Sequence, residues 1–189
     1  MDPDGPSSAT SPSTTTFGRP GRRRAARVIV LDPRDRLLLI NAKDPARRSG
    51  AGWWEVPGGG MDPGETSEET VRRELWEEAG IRDAEVGPCV WVQSVEFTFA
   101  GWRFEQDEWV HVARCDGTSA GPMGLEAFEA MAFGEQRWWS LDQALELRPR
   151  TIPYRMLEFL PDVVAGKVGD EPIDITPGEH HVAQWHAEG

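Results

Sequence analysis

Several residue types that mark particular protein classes are scarce in this sequence. Only two cysteines occur, Cys89 and Cys115, with no CxxC spacing, which argues against a disulfide framework and fits a reducing compartment. Apolar runs are short, such as Leu37 to Ile40, whereas a membrane-spanning helix needs roughly 20 apolar residues. We therefore expect no signal peptide, no membrane span or membrane partner, and a cytoplasmic location.

Positive charge is also scarce overall. Lys and Arg total 20 against 32 Asp and Glu, a net charge of −12, which disfavours nucleic acid as a partner. The charge is unevenly spread along the chain. Residues 1–50 contain 10 basic and 5 acidic residues, whereas residues 51–189 contain 10 basic and 27 acidic residues. So much negative charge near a reaction centre predicts bound cations.

The composition predicts one domain with two tails. The chain has 189 residues, of which 39% are hydrophobic and 28% charged, as in an ordinary globular domain. Residues 1–22 are rich in Ser, Thr, Pro and Gly and cannot bury enough apolar surface to fold, so we predict a disordered tail. Residues 23–165 form the predicted domain. The polar residues 166–189 are predicted to form a weakly ordered tail.

Short β-rich runs separated by turns predict most of the sheet. The predicted strands are Val28–Leu31 and Leu37–Ile40 as one hairpin, Trp53–Val56, Cys89–Phe99 and Arg103–Cys115 as a second hairpin, and Arg137–Trp139. Ser140 and Gln143 predict a capped short helix after the last of these strands, and a further helix is expected over about 154–164.

The clearest predicted helix follows Thr66. Thr66 and Glu69 form a capping-box pattern, and Gly80 stands where a helix C-cap belongs. Between them Val71, Leu75 and Ala79 recur every four residues, which predicts one apolar face.

Three carboxylates share another face of this helix. Glu74, Glu77 and Glu78 stand at i, i+3 and i+4. Arg73 can pair with Glu77, but one guanidinium cannot neutralise the group. Mg²⁺ binds through a few carboxylates together with substrate phosphates, so the cluster suits a metal-bridged phosphate chain. Taken alone, such a cluster is more often an exposed acidic face, and the flanking residues decide between the two interpretations.

The flanking residues form a recognisable pattern. Residues 58–81 read GGGMDPGETSEETVRRELWEEAGI; five residues separate Gly59 from Glu65 and seven separate Glu65 from Arg73. The acids Glu74, Glu77 and Glu78 follow, and then Gly80 and Ile81. Together these residues resemble the Nudix box at every defining position. WWEVPGG before the box and RWWSLDQA after it also resemble the family, so the resemblance covers about residues 25–165.

The resemblance implies a fold and an activity. The family has an α/β/α sandwich with a mixed β-sheet, in which the box forms a loop–helix–loop, and it hydrolyses a nucleoside diphosphate linked to another moiety with Mg²⁺ or Mn²⁺. By position, the implied metal ligands are Glu74, Glu77, Glu78 and the carbonyl of Gly58. Arg73 would hold a box glutamate in place, and Glu65 would support the loop–helix arrangement.

The general base varies within the family. We favour Glu74, which with Glu77 and Arg73 makes up the expected catalytic group. Three glutamates in the loop before the late strand are alternatives, namely Glu126, Glu129 and Glu135. Whichever of these carboxylates is the base would take the proton of the attacking water.

The substrate is left open by the sequence. The proline typical of ADP-ribose hydrolases downstream of the box is absent, the only tyrosine is Tyr154, and the extended marker of NADH hydrolases is missing. We expect a small nucleotide derivative as partner and leave a homodimer open. Alternative functions are a catalytically silent Nudix-fold nucleotide-binding or regulatory module and an isopentenyl diphosphate isomerase, against which the complete box argues.

Overall fold

A computed structural model describes residues 17–18, 20–47, 52–147 and 151–187. The predicted tail over residues 1–16 lies outside this part of the chain. The elements are β1 (Arg23–Leu31), β2 (Leu37–Ala42), β3 (Trp53–Glu55), β4 (Gly58–Gly60), α1 (Ser67–Ala79), β5 (Glu85–Phe99), β6 (Trp102–Arg114), α2 (Ala127–Ala132), β7 (Phe133–Trp139), α3 (Leu141–Leu145), β8 (Thr151–Ile152), α4 (Met156–Val164), β9 (Ile173–Asp174) and α5 (Glu179–Ala187).

The strands form one mixed sheet in the order β8-β3-β2-β1-β6-β5-β9, with β4 paired to β1 and β7 paired to β2. The predicted β1–β2 hairpin is present and antiparallel. The whole of β1 also pairs in parallel with β6, from Arg23 beside Gln106 to Leu31 beside Arg114. The mixed sheet and the α/β class predicted by the resemblance are confirmed.

Strand β1 shows how the three layers are held together. Because successive side chains of a strand point to opposite faces, Ile29 and Leu31 pack with the helix α4 residues Met156 and Leu160. The alternate residues Val28 and Val30 point to the other face of the sheet, where they pack with Val71 and Leu75 of α1. The chain therefore forms the predicted α/β/α sandwich.

The long hairpin of β5 and β6 agrees with the prediction. Its two-residue turn places Ala100 at φ 51° and Gly101 at φ 84°, and positive φ at both central residues is the geometry that matches the twist of paired strands. Trp102 beside this turn is 68% exposed, as expected for a hairpin tip.

The packed structure begins before the predicted boundary at residue 23. Phe17 contacts Trp109 edge to face, with ring centroids 4.9 Å apart. Arg22 Nε lies 2.7 Å from Asp107 Oδ1, and both side chains are almost fully buried. Composition does not show these contacts, because they depend on residues of β6, an aromatic ring for Phe17 and a buried acid that needs a cationic partner for Arg22.

The predicted C-terminal tail also needs correction. Strand β9 pairs in parallel with β5, and Ile175 is fully buried in the core with its N–H bonded to the Val92 carbonyl at 2.8 Å. A single apolar residue inserted into the core orders this segment, and one residue is too weak a sequence signal to predict that. In the described part of the chain, no helix is long and apolar enough to cross a membrane.

Candidate active site

Helix α1 presents its acids from a tightly fixed frame. The Thr66 hydroxyl accepts the Glu69 N–H and the Glu69 carboxylate accepts the Thr66 N–H at 2.8 Å, so the predicted capping box is present. At the other end Gly80 adopts the left-handed conformation and ends the helix. Burial of Val71 and Leu75 against the sheet sets the rotation of the helix and takes the neighbouring Glu74 and Glu78 below the surface.

The glycines of β4 leave room for these carboxylates. A Cβ on Gly59 would lie 2.4 Å from Glu74 Oε1, so any side chain there would displace the carboxylate. Gly58 has φ 144°, and a Cβ on it would lie 2.3 Å from the Ala26 carbonyl oxygen. Its N–H donates to Glu78 Oε2 at 2.8 Å. The loop and the helix are thus joined through glycine backbone and buried acid.

Arg73 connects the loop to the acids of the helix. Its Nε and Nη2 donate to the two oxygens of Glu65 at 3.0 and 3.1 Å, and Nη2 also donates to the Gly60 carbonyl. Its Nη1 donates to Glu74 Oε1 at 2.8 Å and to Glu77 Oε2 at 2.9 Å. The expected pairing with Glu77 is present, and the arginine additionally holds Glu74.

Glu65 completes this connection from the loop side. It accepts hydrogen bonds from the Asp62 N–H at 2.9 Å and the Thr70 hydroxyl at 2.7 Å. The hydrogen bonds from Arg73 are the main reason that the pKa of Glu65 falls to about 2. Glu65 therefore stays ionised at neutral pH and fixes the position of Arg73.

Carboxylate oxygens of three glutamates converge beside the Gly59 loop. One ligand atom from each of Glu74, Glu78 and Glu129 lies within 4.8 Å of the others. Glu129 comes from α2, where it also accepts the N–H of Glu126 at 2.8 Å. Of the three loop glutamates considered from sequence, Glu129 alone joins this group, while Glu126 and Glu135 are exposed. Glu77 lies outside the group and is bound to Arg73.

Charge crowding and burial shift the pKa values of these acids upward. Burial, opposed by Arg73, raises the pKa of Glu74 to about 7, with added repulsion from Glu129 and Glu77. The pKa of fully buried Glu78 is raised well above its ordinary value by burial and by Glu74 and Glu55. Burial also raises the pKa of Glu129. The cluster therefore favours any cation that replaces its protons.

The donor set fits a hard divalent metal ion. All three converging groups are carboxylates, the ligands that Mg²⁺ and Mn²⁺ prefer. Glu78 Oε1 is buried with no hydrogen-bond partner, and an orphaned carboxylate oxygen at this depth needs a positive charge to compensate it. The residues present therefore fit the implied metal.

A cavity of about 900 Å³ opens beside the cluster. Gly58, Gly59 and Glu129 line the end nearest the cluster, and the other acidic residues that line the cavity are Asp44, Glu55, Glu96 and Glu108. The basic side chains that line it are Arg23, Arg27, Lys43, Arg47 and Arg103, and the aromatic ones include Trp53, Phe97, Phe99, Phe133 and Tyr154. Phe97 stacks on Phe104, and the Arg23 guanidinium lies 5.6 Å from the Phe104 ring centroid. Acid, base and aromatic surface together suit a metal-bound phosphate joined to a planar group.

The cavity floor holds a buried polar network that sequence reasoning missed. Arg27 Nε donates to Glu108 at 3.0 Å, and its Nη1 lies 3.6 Å from Glu55. Gln93 and Gln106 also bind Glu108. A signal was available, since these polar residues occupy inward positions of strands whose other inward residues are apolar. The sequence could not show that they face one cavity.

A family model described as the NUDIX domain matches residues 21–163. The chain belongs to the Nudix family. This Nudix chain is 28% identical over 179 residues to the RNA pyrophosphohydrolase of Caulobacter vibrioides, covering 88% of the chain and 99% of that relative. It is 41% identical to the putative 8-oxo-dGTP diphosphatase of Bacillus subtilis, over 61 residues that span 32% of the chain and only 37% of that relative.

A solved structure agrees with the family assignment. The MutT protein of Bacillus halodurans superposes with a TM-score of 0.52 at 26% identity, covering 84% of this chain and 92% of that one. The family model and the names of the relatives together indicate a Nudix pyrophosphohydrolase.

Proposed function

We propose that this Nudix chain hydrolyses a pyrophosphate bond in a nucleoside diphosphate derivative with Mg²⁺ or Mn²⁺, in the cytoplasm. The observation that carries the proposal is the convergence of Glu74, Glu78 and Glu129 beside a cavity that Glu129 lines together with basic, acidic and aromatic side chains. The Caulobacter relative, matched over nearly its whole length, is named an RNA pyrophosphohydrolase. A 5′-terminal polyphosphate is therefore the first substrate class to test.

Glu74, Glu78 and Glu129 would hold the metal, with Glu77 and the Gly58 carbonyl as further predicted ligands. A divalent ion bound there would neutralise phosphate oxygens and lower the pKa of a water molecule. Arg73 keeps Glu74 and Glu77 oriented before substrate arrives, because one nitrogen donates to both carboxylates. Glu65 holds the rest of that guanidinium.

The attacking water must lose a proton to a nearby carboxylate. A carboxylate of the converging group is placed to take it, and Glu74 belongs to that group at a box position. We propose Glu74 as the general base, with Glu129 as the alternative because its carboxylate lies in the same group. Glu126 and Glu135 are exposed and do not join the convergence, which disfavours this role for them.

The test is a hydrolysis assay on the full chain. 5′-Triphosphorylated RNA, nucleoside triphosphates, ADP-ribose and a dinucleoside polyphosphate are incubated with Mg²⁺, with Mn²⁺ or with chelator, and the products are identified. We expect metal-dependent release of phosphate, pyrophosphate or a nucleotide. Glu129→Gln should lower kcat by at least about a hundredfold, in line with the loss of a group that assists proton transfer or charge stabilisation.

Glu135→Gln is the control, since it removes an exposed acid of the neighbouring strand β7. Equal loss in both variants would show that losing any acid of this region lowers activity and that Glu129 has no special role. Metal-dependent binding of nucleotides with no hydrolysis of any of them would favour the catalytically silent module instead.

A further inference from the structure

The orientation of two glutamine side chains on the cavity floor is fixed by one carboxylate. The strand register places Gln93 opposite Glu108, and Gln106 lies two residues along β6 on the same face. The amide nitrogen of Gln106 donates to Glu108 Oε1 at 2.6 Å, and that of Gln93 donates to Glu108 Oε2. Because a carboxylate can only accept, both amides must turn their NH₂ groups towards it.

This arrangement leaves two buried acceptors unused. Gln93 Oε1 and Gln106 Oε1 have no hydrogen-bond partner, and the two residues are only 1% and 2% exposed. A buried acceptor without a partner destabilises a protein, so a pair in one network calls for an explanation. Both side chains line the cavity.

The neighbouring cation cannot satisfy these oxygens. Arg27 directs its Nε to Glu108, and its Nη1 lies 3.3 Å from the Val56 carbonyl and 3.6 Å from Glu55. Strand β1 runs between the metal loop and β6, because Arg27 pairs with Gly58 and Arg23 pairs with Gln106. A group that donates to Gln106 would therefore lie across β1 from the carboxylate cluster.

We propose that Gln93 and Gln106 select the base of the substrate by accepting hydrogen bonds from adjacent N–H donors, as on the edge of guanine. Guanine offers a ring N–H beside an exocyclic amine, whereas adenine and cytosine place a ring acceptor beside their amine and uracil offers a single N–H between two carbonyls. A ring acceptor facing either amide oxygen would be repelled. This inference rests on the proposed function in assuming that a nucleotide occupies the cavity.

The first experiment compares GTP with ITP, whose hypoxanthine differs from guanine only by lacking the 2-amino group. We expect kcat/KM to be at least about tenfold higher for GTP, since a site built to bind a substrate N–H rejects the analogue without it. Gln106→Met and Gln93→Met keep the chain length and remove the acceptor, and each should bring the GTP-to-ITP ratio towards one. Gln143→Met, in the exposed cap of α3, should leave the ratio unchanged.

A second measurement does not depend on catalysis. GMP should raise the melting temperature of the wild-type chain in chelator more than IMP at equal concentration. Equal shifts with both nucleotides, or equal hydrolysis of GTP and ITP, would overturn the base selection while leaving the pyrophosphohydrolase intact. A GMP preference without hydrolysis of any nucleotide would support base selection and reject the proposed function. If the methionine variants do not fold, the two wild-type comparisons still decide.

Discussion

Replacement of Arg73 by lysine tests whether the box is organised through one guanidinium. Arg73 contacts both oxygens of Glu65, one oxygen each of Glu74 and Glu77, and the Gly60 carbonyl. Lysine keeps the charge but can reach only some of these groups. The forked geometry of arginine is what allows these contacts at the same time. We therefore expect losses of both stability and activity.

The size of the stability loss follows from Glu65. A fall of its pKa from 4.5 to about 2 corresponds to about 3 kcal/mol of favourable interaction with the ionised form. This is an upper limit, because the Arg73 side chain is 28% exposed and solvent weakens such pairs. Since lysine retains one contact, Arg73→Lys should lower the free energy of unfolding by about 2 kcal/mol at pH 7.

The pH dependence gives this loss a recognisable form. A depressed carboxylate pKa stabilises the folded state above the unfolded value of about 4.5, and the stabilisation disappears as the pH falls towards 2. Urea unfolding of the wild type between pH 5 and pH 2 should therefore show a steep loss, and Arg73→Lys a shallower one. A double-mutant cycle with Glu65→Gln should give a coupling energy above about 1 kcal/mol.

Turnover provides the second readout. Without a shared donor, Glu74 and Glu77 are less ordered, so kcat should fall by more than about tenfold and half-maximal activation should need more Mg²⁺. The matched control is Arg72→Lys, which alters the neighbouring exposed pair with Glu68 and should change stability by under about 0.5 kcal/mol. If Arg73→Lys behaved like Arg72→Lys in both measurements, the organising role of Arg73 would be refuted.

Four further outcomes are expected. Glu78→Gln should leave the metal-free melting temperature unchanged or higher, because it removes a buried acid, but should abolish stabilisation by Mg²⁺ in a thermal shift assay. Without metal, the free energy of unfolding should fall by about 3 kcal/mol between pH 4.5 and pH 7. The reason is that folded Glu74 keeps its proton up to about pH 7, whereas the unfolded chain releases it. Urea titrations with saturating Mg²⁺ should not show this fall. Arg22→Met should destabilise the chain by about 3 kcal/mol, because Asp107 would stay buried without its cationic partner and keep only the hydrogen bonds from Gly18 and Ser94, and a change below about 1 kcal/mol in chemical denaturation would contradict this pairing. Ile175→Ala should lower the free energy of unfolding by about 2–4 kcal/mol, whereas a truly weakly ordered tail would give no change.

Local features of the site could be read from the sequence. The capping box at Thr66, the apolar spacing from Val71 to Ala79 and the ending at Gly80 all depend on residues at most a few positions apart. The pairing of Arg73 with Glu77 is of the same kind. Helix interactions of this range do not depend on the rest of the fold, so α1 and its acids were predicted with their bounds nearly exact.

Tertiary structure decided everything that depends on long-range pairing. The sequence offers no reason to prefer Glu126, Glu129 or Glu135 as a site residue. Only the placement of α2 brings Glu129 close to Glu74 and Glu78. The parallel pairing of β1 with β6 joins residues far apart in the chain, and with it Arg27 meets Glu108 on the cavity floor.

The two ends of the domain follow the same rule. Arg22 and Ile175 lie in polar segments whose composition predicts little order, yet one pairs with a buried acid and the other fills the core. A short segment is ordered by what it meets, and its own composition does not reveal the partner. The sequence by itself therefore determined the helix, the box and the family, because their signals are local. The third clustered carboxylate, the polar floor and the contacts of Arg22 and Ile175 came only from the fold, because strand register and burial are properties of distant residues brought together.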